Sequence, residues 1–412
     1  MTAAALEMSE APALPPASGH AGWVALVAVA LIPAVAYFGN LGFAPVTALA
    51  GLAALPLLAH SRAPSMGMTL LLALLAWTLL TTAWSPVVPL APNFRDYDQV
   101  ESLTWLKLIL QLPLYAAFVM AASRAPPHMA RRAVLALGIG LGVLAVVLLF
   151  EGLTGALIYQ KIKAALGGPP RPDLAKRNVA RACYVLALMF WPAVLMLWRR
   201  KLRWVTVLLG VAAMVGPLLL GVDAPLAALV ISLAIFVLVR LAGAAGLYVC
   251  MGGAAVYFAF APHLVDLFGA VVGRKASWDA RQAIWKVVIG QIEQHPLRGW
   301  GLDSSRLLPK PVSLHPHDAA LQLWLELGAV GVMLTAVFWV WLLWSLIKVQ
   351  ARDRSLAAAG AAMAGVYLTI GALSFGVWQE WWLALGALAI GVFALSNVSS
   401  VAYFRKRSPY YI

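Results

Sequence analysis

The chain reads as an all-α, polytopic integral membrane protein with about twelve transmembrane helices, and three observations predict that class. Hydrophobic residues make up 63% of its 412 residues and charged residues only 11%, against roughly 45–50% and 25% in soluble domains. Mean hydropathy is +0.86. Apolar runs close to the ~20 residues that cross a bilayer recur along the whole chain, separated by short polar connections.

Taken in order, residues 1–21 are rich in Ala and Pro and carry Glu7 and Glu10, which predicts a short tail. Ala34-Val35-Ala36 has the small-residue pattern of a signal-peptidase site. No Lys or Arg precedes that apolar run, however, and a second run follows at once, so a retained first span is expected. Nine spans are expected within 22–261, near 22–38, 41–59, 66–84, 102–122, 132–152, 179–198, 204–221, 224–241 and 243–261. A basic outer segment at 153–181 interrupts them. A large outer loop with amphipathic helices follows at 262–317, and three more spans lie within 318–400, near 318–347, 355–374 and 381–400. The 318–347 run is long enough to be a short helix followed by a spanning one. Residues 401–412 form a second tail. Cys183 and Cys250 both fall inside apolar runs, which leaves neither a disulfide framework nor a cysteine metal site.

Basic residues in short loops orient the chain. Fifteen of them, including Arg131, Arg132, Arg199, Arg200, Lys201, Arg352 and Arg354, fall on one side, which is therefore expected to be cytoplasmic along with both termini. The short connections on the other side, at 39–40, 221–225 and 375–382, hold no Lys or Arg. Two long outer segments nevertheless gather thirteen cations: Lys161, Lys163, Arg171, Lys176, Arg177 and Arg181 in one, and Arg274, Lys275, Arg281, Lys286, Arg298, Arg306 and Lys310 in the other. Long loops translocate regardless of charge, so the topology stands. Anionic lipid or a bound anionic substrate would account for the clustering.

Between Arg274 and Glu293 the pattern is helical, with Arg274, Trp278, Arg281 and Trp285 on one face. Such a stripe either lies in the headgroup layer or presents guanidinium forks to phosphate oxygens. Arg177 and Arg181, one turn apart at the start of span six beside Asn178, oppose the helix dipole, a placement that a bound anion relieves. His315 and His317 stand where the polar loop meets a membrane helix, and an imidazole with an ordinary pKa of about 6.5 can take a proton from a hydroxyl. Gly328 and Gly331 follow His317 at near-helical spacing, which predicts a stripe that another helix can approach beneath the imidazole. Glu326 is expected on the opposite side. Asp318 could orient or charge the imidazole. The motifs GxSxG, HExxH, CxxC and the P-loop are absent from the sequence. Ionisable residues at mid-membrane, which a transporter would need, are nearly absent, Lys107 and Glu151 coming nearest.

The order Arg281-x3-Trp285, Pro296-x2-Gly299-x-Gly301, and His317-Asp318 followed by Gly328-x2-Gly331 resembles the bacterial O-antigen ligase and polymerase superfamily. The likeness covers roughly 170–345, including Arg177-Asn178. Asp318 departs from the Asn, Ser or Gln that ligases usually carry after the His. The resemblance implies an inverting glycosyltransferase of the inner membrane with a periplasmic active site, needing no cofactor, metal or nucleotide and no nucleic acid partner. Its implied substrates are a glycan on undecaprenyl pyrophosphate and a hydroxyl of lipid A-core oligosaccharide, in lipopolysaccharide maturation. The implied roles are His317 as general base and Arg274, Arg281, Arg171, Arg177 and Arg181 around the pyrophosphate. Trp278, Trp285, Asp318, His315, Asn178, Gly328 and Gly331 support them. One dominant outer loop favours a ligase over a polysaccharide polymerase; a protein O-oligosaccharyltransferase and a lipid-linked-sugar flippase are the remaining alternatives.

Overall fold

Inside a bilayer a backbone N–H or C=O has no water to bond, so each apolar run closes its hydrogen bonds internally as a helix. A computed structural model describes residues 17–60, 65–89, 93–168, 171–271, 276–308 and 315–405, with the backbone alone at 58–60, 97, 101, 266–271, 276–278 and 404–405. The described residues form helices and no strand. In chain order these are α1 (Gly19–Phe38), α2 (Phe43–Ala54), α3 (Met66–Leu80), α4 (Tyr97–Ser102), α5 (Thr104–Ser123), α6 (Pro127–Thr154), α7 (Leu157–Ala165) and α8 (Pro172–Arg199). There follow α9 (Arg203–Leu220), α10 (Ala224–Ala242), α11 (Ala244–Val271), α12 (Ala276–Ile292), α13 (Ala319–Arg352), α14 (Arg354–Leu373) and α15 (Glu380–Arg405). Twelve helical segments are long and apolar enough to cross a membrane, and they coincide with the twelve expected spans; α4 and α7 are additions, and α12 falls where a helix was expected between Arg274 and Glu293.

Lipid tails are as apolar as the side chains, so helices here associate through close packing rather than through escape from water. The central helix α14 shows the device. Its run from Ala357 to Ala362 is small at every position and wholly buried, which lets α10, α8 and α13 close around it. The loop 262–317 holds a single long amphipathic helix among its described residues. Helix α12 does not lie loose on the surface: Ile284, Trp285, Val288 and Ile292 are buried against Phe258 and Ala261 of α11 and Leu321 and Leu325 of α13.

The second half of the loop docks on a break in α13. Gly328 has φ 63° and ψ −169°, a conformation essentially confined to glycine, so a short helix ends at Leu327 and a spanning one resumes beyond it. The carbonyls freed by the break are taken up one by one. Trp300 N–H donates to Leu325 O (2.8 Å), Gly301 N–H to Glu326 O (2.9 Å) and Trp77 Nε1 to Leu327 O (2.9 Å), while Ala329 N–H finds Pro296 O (2.9 Å). A buried polar group left without a partner costs about 1–3 kcal/mol, so these four bonds are what makes the break tolerable. The Pro296-x2-Gly299-x-Gly301 motif thus serves the break. Gly299 (φ 68°) and Gly301 (φ 94°) let the loop backbone lie directly on residues 326–328 and on 81–85.

This overturns the expected His317-Gly328-Gly331 stripe. His317 precedes the helix with φ 56°, and the helical register does not run through Gly328. What approaches Gly328 is the 297–299 loop backbone, and Gly331 packs on Leu327 of its own chain turn.

Candidate functional site

The turn between α14 and α15, residues 374–379, is the hub on which the site is assembled. Ser374 O lies 3.0 Å from His317 Nδ1. Phe375 packs on Tyr184 of α8 with ring centroids 4.8 Å apart. Val377 N–H donates to Gln322 Oε1 (2.9 Å), Trp378 Nε1 donates to Glu326 Oε2 (2.6 Å), and the Gln379 amide meets His315 Nε2 at 3.1 Å. Three parts of the chain, α8, the 315–317 loop and α13, therefore converge on this turn.

These contacts assign the protons on both imidazoles. A carbonyl oxygen only accepts, so Nδ1 of neutral His317 carries the hydrogen and Nε2 keeps its lone pair. His315 is the reverse. Its Nδ1 accepts from His317 N–H (3.2 Å), so Nε2 carries the hydrogen and points it at the Gln379 amide oxygen, once that side chain is oriented to suit. The two rings stand 4.4 Å apart. Burial, reinforced by the neighbouring His317, pushes His315 down to about 4, which keeps it neutral. His315 is accordingly a brace for the backbone of His317.

Asp318 does not reach the imidazole to charge it. It caps α13, its Oδ1 accepting from Leu321 N–H (2.9 Å) and from the Tyr257 hydroxyl (3.3 Å). Ser, Asn and Asp all cap helices well, which explains why Asp can stand here. Burial pushes its carboxyl up to about 7. Glu326 makes no contact with His317, as its expected placement required, yet it is not idle. Fully buried, it accepts from Gln322 Nε2 (3.0 Å), Asp303 N–H (2.9 Å) and Trp378 Nε1, tying the loop, the α13 break and the hub together.

Arg281 of the second basic segment lies against α8 at Tyr184. Trp285 Nε1 donates to Pro316 O (2.9 Å), which fastens α12 to the backbone just before His317. One turn earlier, half-buried Arg281 faces Tyr184 and Asp223, and Tyr184 in turn faces Ser374. Burial lowers the Arg281 guanidinium from its ordinary value, while Tyr184 and Asp223 push it back up. On α8, Arg177, Arg181 and Tyr184 fall at i, i+4 and i+7 and share a face. Arg177 is exposed, and Arg181 contacts Asn40 Oδ1 at 3.3 Å. Asn178 donates to the Tyr159 hydroxyl (3.3 Å), holding α7 on α8. Arg171 sits at the start of α8, exposed and 3.8 Å from Asp173. Arg274 and the side chain of Trp278 lie outside the described residues.

The near-membrane ions are settled structurally. Lys107 pairs with Glu380 at 2.5 Å, and Glu151, fully buried, accepts from the Tyr37 hydroxyl and from the N–H groups of Ile158 and Tyr159. Sequence reasoning did not find Tyr184, Ser374, Gln322, Trp378 or Gln379. Ser374 contributes a backbone carbonyl, which leaves no trace in residue type. Gln379 and Glu380 had a signal, being polar residues in a six- to eight-residue connection between apolar spans.

The fold and site define a multi-pass membrane protein with a carbonyl-oriented histidine beside a framed arginine at one end of its helix bundle. No protein-family model matches the chain. It is similar to a provisionally named polysaccharide ligase of Rickettsia conorii, 29% identical over 137 residues, covering 29% of this chain and 32% of that protein. A second such protein, from Rickettsia felis, is 28% identical over 137 residues (29% and 33%), and one from Rickettsia bellii is 32% identical over 118 residues (25% and 28%). The similarity thus spans about a third of the length of these curated relatives.

Proposed function

We propose that the protein is an O-antigen ligase, an inverting glycosyltransferase that moves a glycan from undecaprenyl pyrophosphate to a hydroxyl of lipid A-core oligosaccharide on the periplasmic face of the inner membrane. The observation that carries this reading is the His317 Nδ1–H···O=C Ser374 bond. It fixes the tautomer in which Nε2 can accept a proton.

In this mechanism the acceptor hydroxyl oxygen attacks the anomeric carbon from the face opposite the pyrophosphate. Its proton passes to His317 Nε2 as the new C–O bond forms. The bond from the anomeric carbon to the pyrophosphate oxygen breaks, and the electron pair leaves with the lipid diphosphate. Inversion at the anomeric carbon follows from that single displacement. Negative charge grows on the leaving diphosphate, and Arg281, with Arg171, Arg177 and Arg181 from the start of α8 and Arg274 from the outer loop, would offset it. Tyr184 and Asp223 hold the Arg281 fork in place. The names of the Rickettsia proteins are consistent with polysaccharide transfer.

The test is a proteoliposome assay containing purified protein, lipid-pyrophosphate-linked glycan and lipid A-core, without ATP. A covalent lipid A-core product is expected. If no product forms with lipid A-core but glycan chains lengthen on the donor lipid, the enzyme is a polymerase instead.

A further inference from the structure

We propose that a second site, at the end of the bundle away from His317, binds the phosphate headgroup of an anionic glycerophospholipid. A cavity of about 330 Å³ opens there between the first turns of α6, the last turns of α8, the start of α14 and the end of α15. That volume lies at the lower end of the range for small-molecule sites. Helix α8 sets its distance from the candidate active site: Tyr184, which packs on the 374–379 turn, and Arg199 lie 15 residues apart on it, ~22 Å at 1.5 Å per residue.

The lining has the chemistry of an oxyanion site. Arg131, Arg199 and Arg200 contribute guanidinium groups, and Ser396, Ser399 and Ser400 contribute hydroxyls, over a floor that includes Leu195, Met196 and Leu356. None of the lining residues is acidic. The nearest carboxylate, Asp353, is already engaged. It accepts from Arg199 Nη2 at 2.7 and 2.9 Å, from the Ser400 hydroxyl at 2.6 Å and from Leu356 N–H at 3.1 Å. Burial alone would raise Asp353, but the hydrogen bonds from Ser400 and Arg199 outweigh it and hold the carboxyl below its usual range.

Arg199 is therefore a braced wall of the cavity. Arg131 and Arg200 make no ion pair among the described residues. Two guanidiniums facing one cavity with no counter-charge repel each other unless an anion lies between them, and their planar forks match phosphate oxygens. An apolar floor between spanning helices points to a lipid phosphate over a soluble one, since basic pockets between such helices are where anionic headgroups lodge. Tyr403, 45% exposed at the rim, is an amphipathic residue suited to that boundary.

The test uses the full chain, purified and delipidated in detergent, with apparent Tm read by tryptophan fluorescence. Phosphatidylglycerol is expected to raise Tm by several degrees, phosphatidylcholine and inorganic phosphate to leave it unchanged. Arg131→Gln/Arg200→Gln should lose at least half of that shift. Arg132→Gln/Lys201→Gln, which changes charges on the same face outside the cavity, should keep it. Equal shifts in both double variants, or an equal shift with phosphatidylcholine, would overturn the site. A full shift from inorganic phosphate alone would overturn the lipid source. Should the first double variant not accumulate, the single variants Arg131→Gln and Arg200→Gln are read by native mass spectrometry, and retention of phosphatidylglycerol undiminished in both sinks the proposal.

Discussion

Nδ1 of His317 and the carbonyl oxygen of Ser374 stand 3.0 Å apart although 57 residues separate them in the chain. That bond decides which nitrogen can act. Replacing His317 with Ala should abolish transfer, measured as lipid A-core product in proteoliposomes, while the protein still inserts and purifies. Substantial residual turnover would place the base elsewhere.

His315 braces the histidine loop and stays neutral to about pH 4. His315→Ala should lower kcat by about tenfold, a loss of ~1.4 kcal/mol in positioning. The pH at which activity rises, followed above pH 5, should not move. A displaced profile would mean that His315 exchanges protons itself.

Arg281 and Arg306 make a matched pair of cations from one loop. Arg306 donates to Ser102 O (3.2 Å) and Thr104 Oγ1 (3.0 Å) and pairs with Asp303 (3.3 Å), which is a structural anchorage away from Tyr184. Arg281→Ala should reduce kcat/KM for the pyrophosphate donor by roughly a hundredfold, whereas Arg306→Ala should lower thermal stability and leave donor use near normal. Equal losses of donor use would favour general lipid contact for both.

A side chain at Gly328 would meet the backbone of Leu297 and Gly299, and its backbone conformation is one that residues with a Cβ avoid. Gly328→Ala should therefore cost about 1–3 kcal/mol or more and be visible as loss of monodisperse protein. Gly290, in α12 with nothing within 4 Å of an added Cβ, is the control; Ala there should be neutral or stabilising by up to ~1 kcal/mol. Comparable behaviour of the two variants would contradict the helix break.

Burial sets Asp318 at about 7, against ~3.9 for an unfolded aspartate. The folded state thus holds its proton more tightly, and the stability tied to that proton is fully present below about pH 4 and lost as pH rises through about 7. Asp318→Asn keeps an oxygen for the cap and removes the titration. Its apparent Tm should match the parent below pH 4 and exceed it at pH 8; a variant less stable at pH 8 would mean that the charged carboxylate is the form the fold prefers.

All twelve spans, the split of the tenth into a short and a long helix, and the pairing of Arg281 with Trp285 on one face were legible in the sequence, because bilayer thickness and the 3.6-residue repeat act locally. The glycine motifs were visible, but their purpose was not: Trp300 and Gly301 give their N–H groups to the Leu325 and Glu326 carbonyls, 25 residues on and freed by the break at Gly328, and spacing alone suggested a helix contact. His317 could be picked out as a rare polar residue at a membrane boundary. Which of its nitrogens keeps a lone pair could not, since the backbone carbonyl of Ser374, just after α14, chooses it. Only the tertiary structure decided that Asp318 caps rather than charges, that Glu326 braces the hub, and that Arg281 of α12 lies against Tyr184 of α8. Hydrophobic length and periodicity are properties of neighbouring residues, whereas proton placement and charge convergence depend on groups that folding brings within 3 to 5 Å across the bundle.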